Sequence, residues 1–324
     1  MENDRLSVRK TFSRIGIAMC VMVAVALGIQ YLWFAVPEWV MGPENDLNAS
    51  SGWTWLGSLI PMYVIAIPLF CLLIRKMPKT AIPEQKLGVN RFWTLLPICF
   101  FFMYAGNIIG NLLTTLITVG KADNFVEQML QDNHPLKYIA VLIAAPVLEE
   151  LAFRKLLLDR VAVYGEKTAV ILSGVLFGLF HMNLFQFFYA FGLGVMLAYM
   201  YIRSGRIRYS MLVHGIINFV GSVIAPLMLQ ITEHPALADP MSADPMQTLA
   251  MLPLMLLASG FSTAILGMFI CGIVMFCKRF KKAQWQEAPA QLPRGEVFKT
   301  VYLNVGIALF ILGCGVLSVI VHFV

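Results

Sequence analysis

Apolar runs of about 20 residues, long enough to cross a hydrocarbon layer of about 30 Å, recur along the chain between short polar connections. Their boundaries predict nine helices: Ile15–Val36, Trp53–Ile74, Phe92–Ile117, Leu136–Leu158, Thr168–Asn183, Leu184–Ile202, Tyr209–Leu229, Gln247–Cys277 and Val301–Phe323. The expected fold is therefore all-α, a polytopic membrane protein with about nine transmembrane helices. The fifth and sixth segments share about 35 residues, room for two short or tilted helices or for one broken element. The polar stretch Lys278–Thr300 contains Pro289 and Pro293 and reads as a linker. No convincing internal repeat is visible, which weighs against the inverted-repeat transporters.

Composition agrees with this pattern. Of 324 residues, 59% are hydrophobic and only 13% charged, and the mean hydropathy of +0.76 lies well outside the soluble range. Charge placement tests the helix count independently. With the N-terminus cytoplasmic, 21 of the 24 basic residues fall in loops that face the cytoplasm, from Arg5–Arg14 through Arg75–Arg91 to Lys278–Lys299. Only Lys121 and Lys137 fall on the other side, and Arg154 lies within the fourth helix. Such a bias follows the positive-inside rule. Asp46, Asn124 and Asp239 are then expected outside, and Lys79 and Lys282 inside. The net charge of +6 thus reflects topology and contact with the lipid bilayer, and no nucleic-acid partner is expected. The first segment has a basic flank like a signal peptide, but its apolar core exceeds 20 residues, so it reads as a retained helix. The six cysteines lie in or beside apolar spans without CxxC spacing, so neither a disulfide framework nor a thiolate metal site is supported.

The polar residues inside the membrane carry the chemistry. Glu149 and Glu150 are the only two of 18 acidic residues placed within hydrocarbon, where a carboxylate costs about 2.5–3.5 kcal/mol on insertion scales. Glu150 and Arg154 are four apart, share a helix face and can pair. Glu149 is rotated by about 100° from Glu150 and lacks that partner, so it can face a cavity as an available carboxylate. An ion-pair network locking helices together would use the same residues. In the fifth segment Phe177 and His181 share a face, and a histidine at a helix end is often merely interfacial. In the seventh, His214 and Asn218 are again four apart, and alone they could be interhelical hydrogen-bonding glue. Three polar pairs on three helices weaken all three structural readings together. His134, His234 and His322 fall in loops or at the C-terminal edge and call for no special role.

Taken in order, Glu149-Glu150-x-x-x-Arg154, Phe177-x-x-x-His181 and His214-x-x-x-Asn218 resemble the motifs of the CAAX-protease and bacteriocin-processing family of intramembrane endopeptidases, the CPBP or Abi proteins. The resemblance covers roughly residues 136–230, dividing the chain into an N-terminal membrane segment (1–135), a catalytic core (136–230) and a C-terminal two-helix segment (231–324). It implies hydrolysis of a peptide bond in a membrane-anchored protein or peptide. Glu149 and His181 would orient and deprotonate a water, with Glu149 as general base. His214 and Asn218 would stabilise the oxyanion, while Glu150 and Arg154 hold the fourth helix. No serine or cysteine nucleophile stands at these motifs. Glu149, His181 and His214 also form the ligand set of some catalytic zinc sites; the metal-free route is the favoured expectation, since asparagine is a poor zinc ligand. A non-proteolytic scaffold or immunity factor of the same family, and a proton-coupled transporter, are the alternatives. The chain carries no lumenal retention signal and the family is abundant in bacteria, so a multi-pass protein of a bacterial plasma membrane is expected. Linear counting places His181 near the outer end of its helix and Glu149 at mid-membrane, so the two meet only if the fifth helix is tilted, broken or deeply set.

Overall fold

The computed structural model describes residues 2–43, 45–122, 124–234, 245–280, 282–283 and 285–321; Asp239, Lys281, His322, Phe323 and Val324 lie outside this set. Among the described residues all regular secondary structure is helical. The first helix spans Glu2–Met41, the second Ser51–Ile74 and the third Val89–Thr118. A continuous helical run over 135–161 forms the fourth, Glu166–Phe180 the fifth, and Leu184–Ser204 and Ile207–Thr232 the sixth and seventh. Pro245–Phe280 is the eighth, and Val305–Ile320, joined at 66° to Arg294–Tyr302, is the ninth.

Every expected segment is helical, and the protein is a multi-pass membrane protein. Among the described residues, six helices are long and apolar enough to cross a membrane, seven if the bent pair counts as one span. The two expected spans outside this set differ for physical reasons. The fourth concentrates Glu149, Glu150, Arg154, Lys155, Asp159 and Arg160 near its end. The fifth has 15 residues, about 22 Å and short of the hydrocarbon thickness. It ends in a turn at His181, Met182 and Asn183, with Met182 in left-handed conformation at φ 48°. The Asn183 side chain then caps the sixth helix by accepting from the Phe185 N–H at 2.8 Å. Gly110 of the third helix packs on the carbonyls of Leu184 and Phe185, eight residues before that helix ends. The hairpin tip therefore lies about 12 Å below the end of the third helix. This deep setting reduces the mismatch in depth that linear counting gives for His181.

The connections sort onto two faces. On one, the Thr80 N–H donates to Asp159 O and the Gln85 N–H to Ser204 O, while Arg160 donates to Ile74 O and Arg75 O at the end of the second helix. The stretch read as a linker joins this face as a packed strap. Its Ala290 and Leu292 N–H groups donate to Val163 O and Tyr164 O, and Trp285 meets Tyr199 edge-on at 5.5 Å. On the other face, Asp132 accepts from the Ser51 hydroxyl and, at 2.7 Å, from the Trp55 indole. That contact clamps the start of the second helix to the start of the fourth.

Two apolar clusters fill the interior. One joins the first, second, fourth, fifth and ninth helices around Phe12, Phe70, Phe153, Phe177 and Phe310. The other joins the third, sixth and seventh around Phe100, Leu197 and Val213. The sixth helix serves both, and a Cβ on its Gly194 would stand 3.0 Å from the Gly174 Cα, so the fifth helix packs backbone to backbone. The first and ninth helices run parallel: Arg9 donates to Leu303 O, the Gly306 N–H donates to Ser13 Oγ, and Gly16 and Gly306 abut.

Parallel first and ninth helices put Glu2 and Val321 on opposite faces. Reporters fused at the N- and C-termini should therefore give opposite readings, with Lys79 and Lys282 matching the N-terminus and Asp46 and Asn124 the C-terminus. Equal readings at the two ends would overturn this arrangement.

The Asp132 clamp has a definite pH dependence. The donors Ser51, Trp55 and the His134 N–H hold its carboxyl below the ordinary carboxylate range, against a smaller opposing effect of burial. A depressed folded-state pKa gives stability above the unfolded pKa that is lost only as pH falls through the folded value. The difference in melting temperature between the native chain and Asp132→Asn should therefore be equal at about pH 7 and about pH 5, and shrink only below about pH 4. A difference that stays constant down to about pH 3 would show the clamp to be absent.

Candidate active site

The fourth helix is widened where it carries its carboxylates. Ile139–Glu149 and Leu151–Leu156 adopt π-helical turns on either side of Glu150, a geometry found often at functional sites. In i→i+5 pairing the donor to Val141 O would be residue 146, and Pro146 has no N–H. The Asn218 amide of the seventh helix supplies the missing donor, with Nδ2 2.8 Å from Val141 O. Asn218 thus ties the seventh helix to the fourth, leaving one amide N–H for other use.

Glu150 is wholly buried and serves two partners. Its Oε1 lies 3.1 Å from Arg154 Nη1 and 3.0 Å from His214 Nδ1. An ionised carboxylate only accepts hydrogen bonds, so Nδ1 carries the proton. The other ring nitrogen, Nε2, is thereby turned toward Glu149, 3.9 Å from Oε2. The expected Glu150–Arg154 pair is present, and the carboxylate beside it also orients a histidine from 64 residues away.

Glu149 is 3% exposed and is not the unpartnered carboxylate that helix geometry alone suggests. The Tyr63 hydroxyl of the second helix donates to its Oε1 at 2.8 Å. Its two oxygens are therefore differentiated, one held by a phenol and the other facing an imidazole across a gap too wide for a direct hydrogen bond.

Phe177 stands at the centre of the constellation. The Arg154 guanidinium lies over its ring at 4.3 Å, a favourable cation–π geometry, and Arg154 Nη2 also reaches Gly194 O at 3.5 Å. The rings of His181 and His214 stand 5.1 and 5.8 Å from that of Phe177. One buried aromatic ring thus touches a residue of each of the three motifs. His181 follows the last turn of the fifth helix and packs against Phe177 and Phe180.

The zinc alternative requires Glu149, His181 and His214 to converge on one point. Among the described residues, no group of three His, Cys, Asp or Glu side chains is arranged to hold a metal ion.

Sequence reasoning missed Tyr63, and also Gln186, which donates to the Tyr189 hydroxyl at 2.7 Å beside the site. A tyrosine within an apolar span was the one available signal, because a buried phenol needs a polar partner.

Comparisons with known proteins match the part of the chain that carries these residues. Residues 131–220 match the family described as type II CAAX prenyl endopeptidase Rce1-like. Over 184 residues the chain is 27% identical to the "Putative membrane peptidase YdiL" of Bacillus subtilis (strain 168), an alignment covering 54% of this chain and 72% of that protein. No solved structure matches the chain. These matches support a likeness to the CPBP/Rce1-like family and, in general, to CAAX-protease-type membrane peptidases.

Replacing Glu150 with glutamine should act on the fold. It leaves Arg154 buried without its counter-charge, a change worth about 3–5 kcal/mol in other buried pairs. Glu150→Gln should reduce the yield of monodisperse protein in detergent and lower its melting temperature, and normal values for both would show the pair to be dispensable.

Proposed function

We propose that this chain is an intramembrane endopeptidase of the plasma membrane that cleaves a membrane-associated protein or peptide with a glutamate-activated water. The observation that carries the reading is the buried Glu149 carboxylate, with Oε2 facing His214 Nε2 at 3.9 Å and a second carboxylate behind that ring. Two buried acids in hydrocarbon exceed what helix packing needs, since the Glu150–Arg154 pair alone would lock the helices.

In this mechanism a water lies between Glu149 Oε2 and the imidazoles. Glu149 takes its proton as the oxygen attacks the scissile carbonyl, and His181 orients the water. The carbonyl π electrons move onto oxygen, where protonated His214, through Nε2–H, and the remaining Asn218 N–H stabilise the anion. Collapse breaks the C–N bond, and the proton held by Glu149 passes to the departing amine. Glu150 accepts from Nδ1–H and supports the doubly protonated His214 ring, as the orienting carboxylate supports the imidazolium in hydrolase triads. No step requires a metal, and protein purified in detergent is expected to hold no stoichiometric zinc.

Glu149→Gln keeps the shape of the side chain but cannot accept the proton. It should abolish cleavage while leaving expression near normal, and comparison of the membrane proteome with that of the native strain should reveal accumulated precursors. Asn218→Ala should reduce the rate on the order of 10²–10³-fold, with an added loss of stability from the unpaired Val141 carbonyl. Full proteolysis by Glu149→Gln, or one tightly bound zinc per chain whose removal stops activity, would refute the mechanism.

A further inference from the structure

We infer that Tyr63, in the second helix and outside the matched segment 131–220, is a positioning residue for the Glu149 carboxylate. The inference rests on the reading of Glu149 as the base. A carboxylate acting as a base must hold one particular lone pair toward the water, and rotation about its last side-chain bond exchanges the two oxygens. The Tyr63 Oη donor, 2.8 Å from Oε1, stops that rotation and leaves Oε2 on the His214 side.

The local backbone suits this task. Tyr63 lies at the middle of a π-helical segment, Ile60–Ala66, with Pro61 near its start. The seventh helix is widened in the same way over Val220–Ile224, just beyond Asn218. Three of the helices around the site thus depart from ordinary α geometry beside a side chain they aim at it. On the outer face, the Asp132 contacts with Ser51 and Trp55 fix the second helix relative to the fourth, so the phenol and the carboxylate meet in register.

The same chemistry recurs away from the site, which supplies a control. Tyr201 donates to Asp159 Oδ1 at 2.7 Å, joining buried residues of the sixth helix and the C-terminal end of the fourth. Both tyrosines can be replaced by phenylalanine with the loss of one hydroxyl only. Steady-state cleavage of a reporter membrane-anchored peptide and thermal melting in detergent are measured for Tyr63→Phe, Tyr201→Phe, Glu149→Gln and the native chain.

The expected result is a kcat lowered on the order of 10-fold or more for Tyr63→Phe, with KM and melting temperature near native. Tyr201→Phe should show the reverse, a lower melting temperature with kcat retained. A Tyr63→Phe variant with native kcat, or one losing kcat only in step with melting temperature, would overturn the inference. Should Glu149→Gln prove inactive while Tyr63→Phe is fully active, only the positioning role falls. Should Glu149→Gln retain activity, the reading of the site falls with it.

Discussion

A carboxylate with no exposure to solvent, placed where water is scarce, sets the terms for everything around Glu150. Such a charge is tolerated only when opposite charge and hydrogen-bond donors surround it. Arg154 supplies the charge from one turn away, and His214 supplies a donor from another helix. Arg154 then needs an environment of its own, which it finds in the face of Phe177 and the backbone carbonyl of Gly194. Each requirement recruits a further helix, until the fourth, fifth, sixth and seventh are joined through one buried ion pair. The polar groups thereby select one packing of these helices among the many that apolar surfaces would accept.

Much of this was legible in the sequence because it is local. The helices follow from run length, and the Glu150–Arg154 pair follows from a spacing of four. The shared faces of Phe177 with His181 and of His214 with Asn218 follow from the same arithmetic. What the sequence withheld is non-local. No periodicity relates Tyr63 to Glu149, 86 residues away, or His214 to Glu150, 64 residues away. Asn218 was legible as a polar group but not as the donor to Val141 O, since that need arises only once Pro146 sits in a widened helix. The number of spans was open for a related reason. A helix of 15 residues that turns back at His181 and a true crossing look alike in a hydropathy pattern.

Glycine decides how closely these helices approach. The fifth and sixth helices meet at Gly174 and Gly194, which lets the Phe177 ring reach across to the fourth and seventh. A methyl group there would separate the helices and withdraw the ring from Arg154 and both histidines. The eighth helix contrasts with them. It exposes apolar residues such as Leu256, Leu257, Leu266 and Ile270 on many sides, as lipid-facing helices do, and it contributes nothing to the constellation around Glu149.

The contact of Gly16 with Gly306 has a meaning in time as well as in space. The first helix described is packed against the ninth, which is made long after it. At about 5–20 residues per second, roughly 15–60 s separate the synthesis of the two glycines. For that interval Phe12, Ile15 and Met19, which end up fully buried, lack the ninth helix as a partner and rest against lipid or the membrane-insertion machinery. The apolar cluster behind the fourth helix thus closes only after the ninth helix has been made, later than the residues around Glu149.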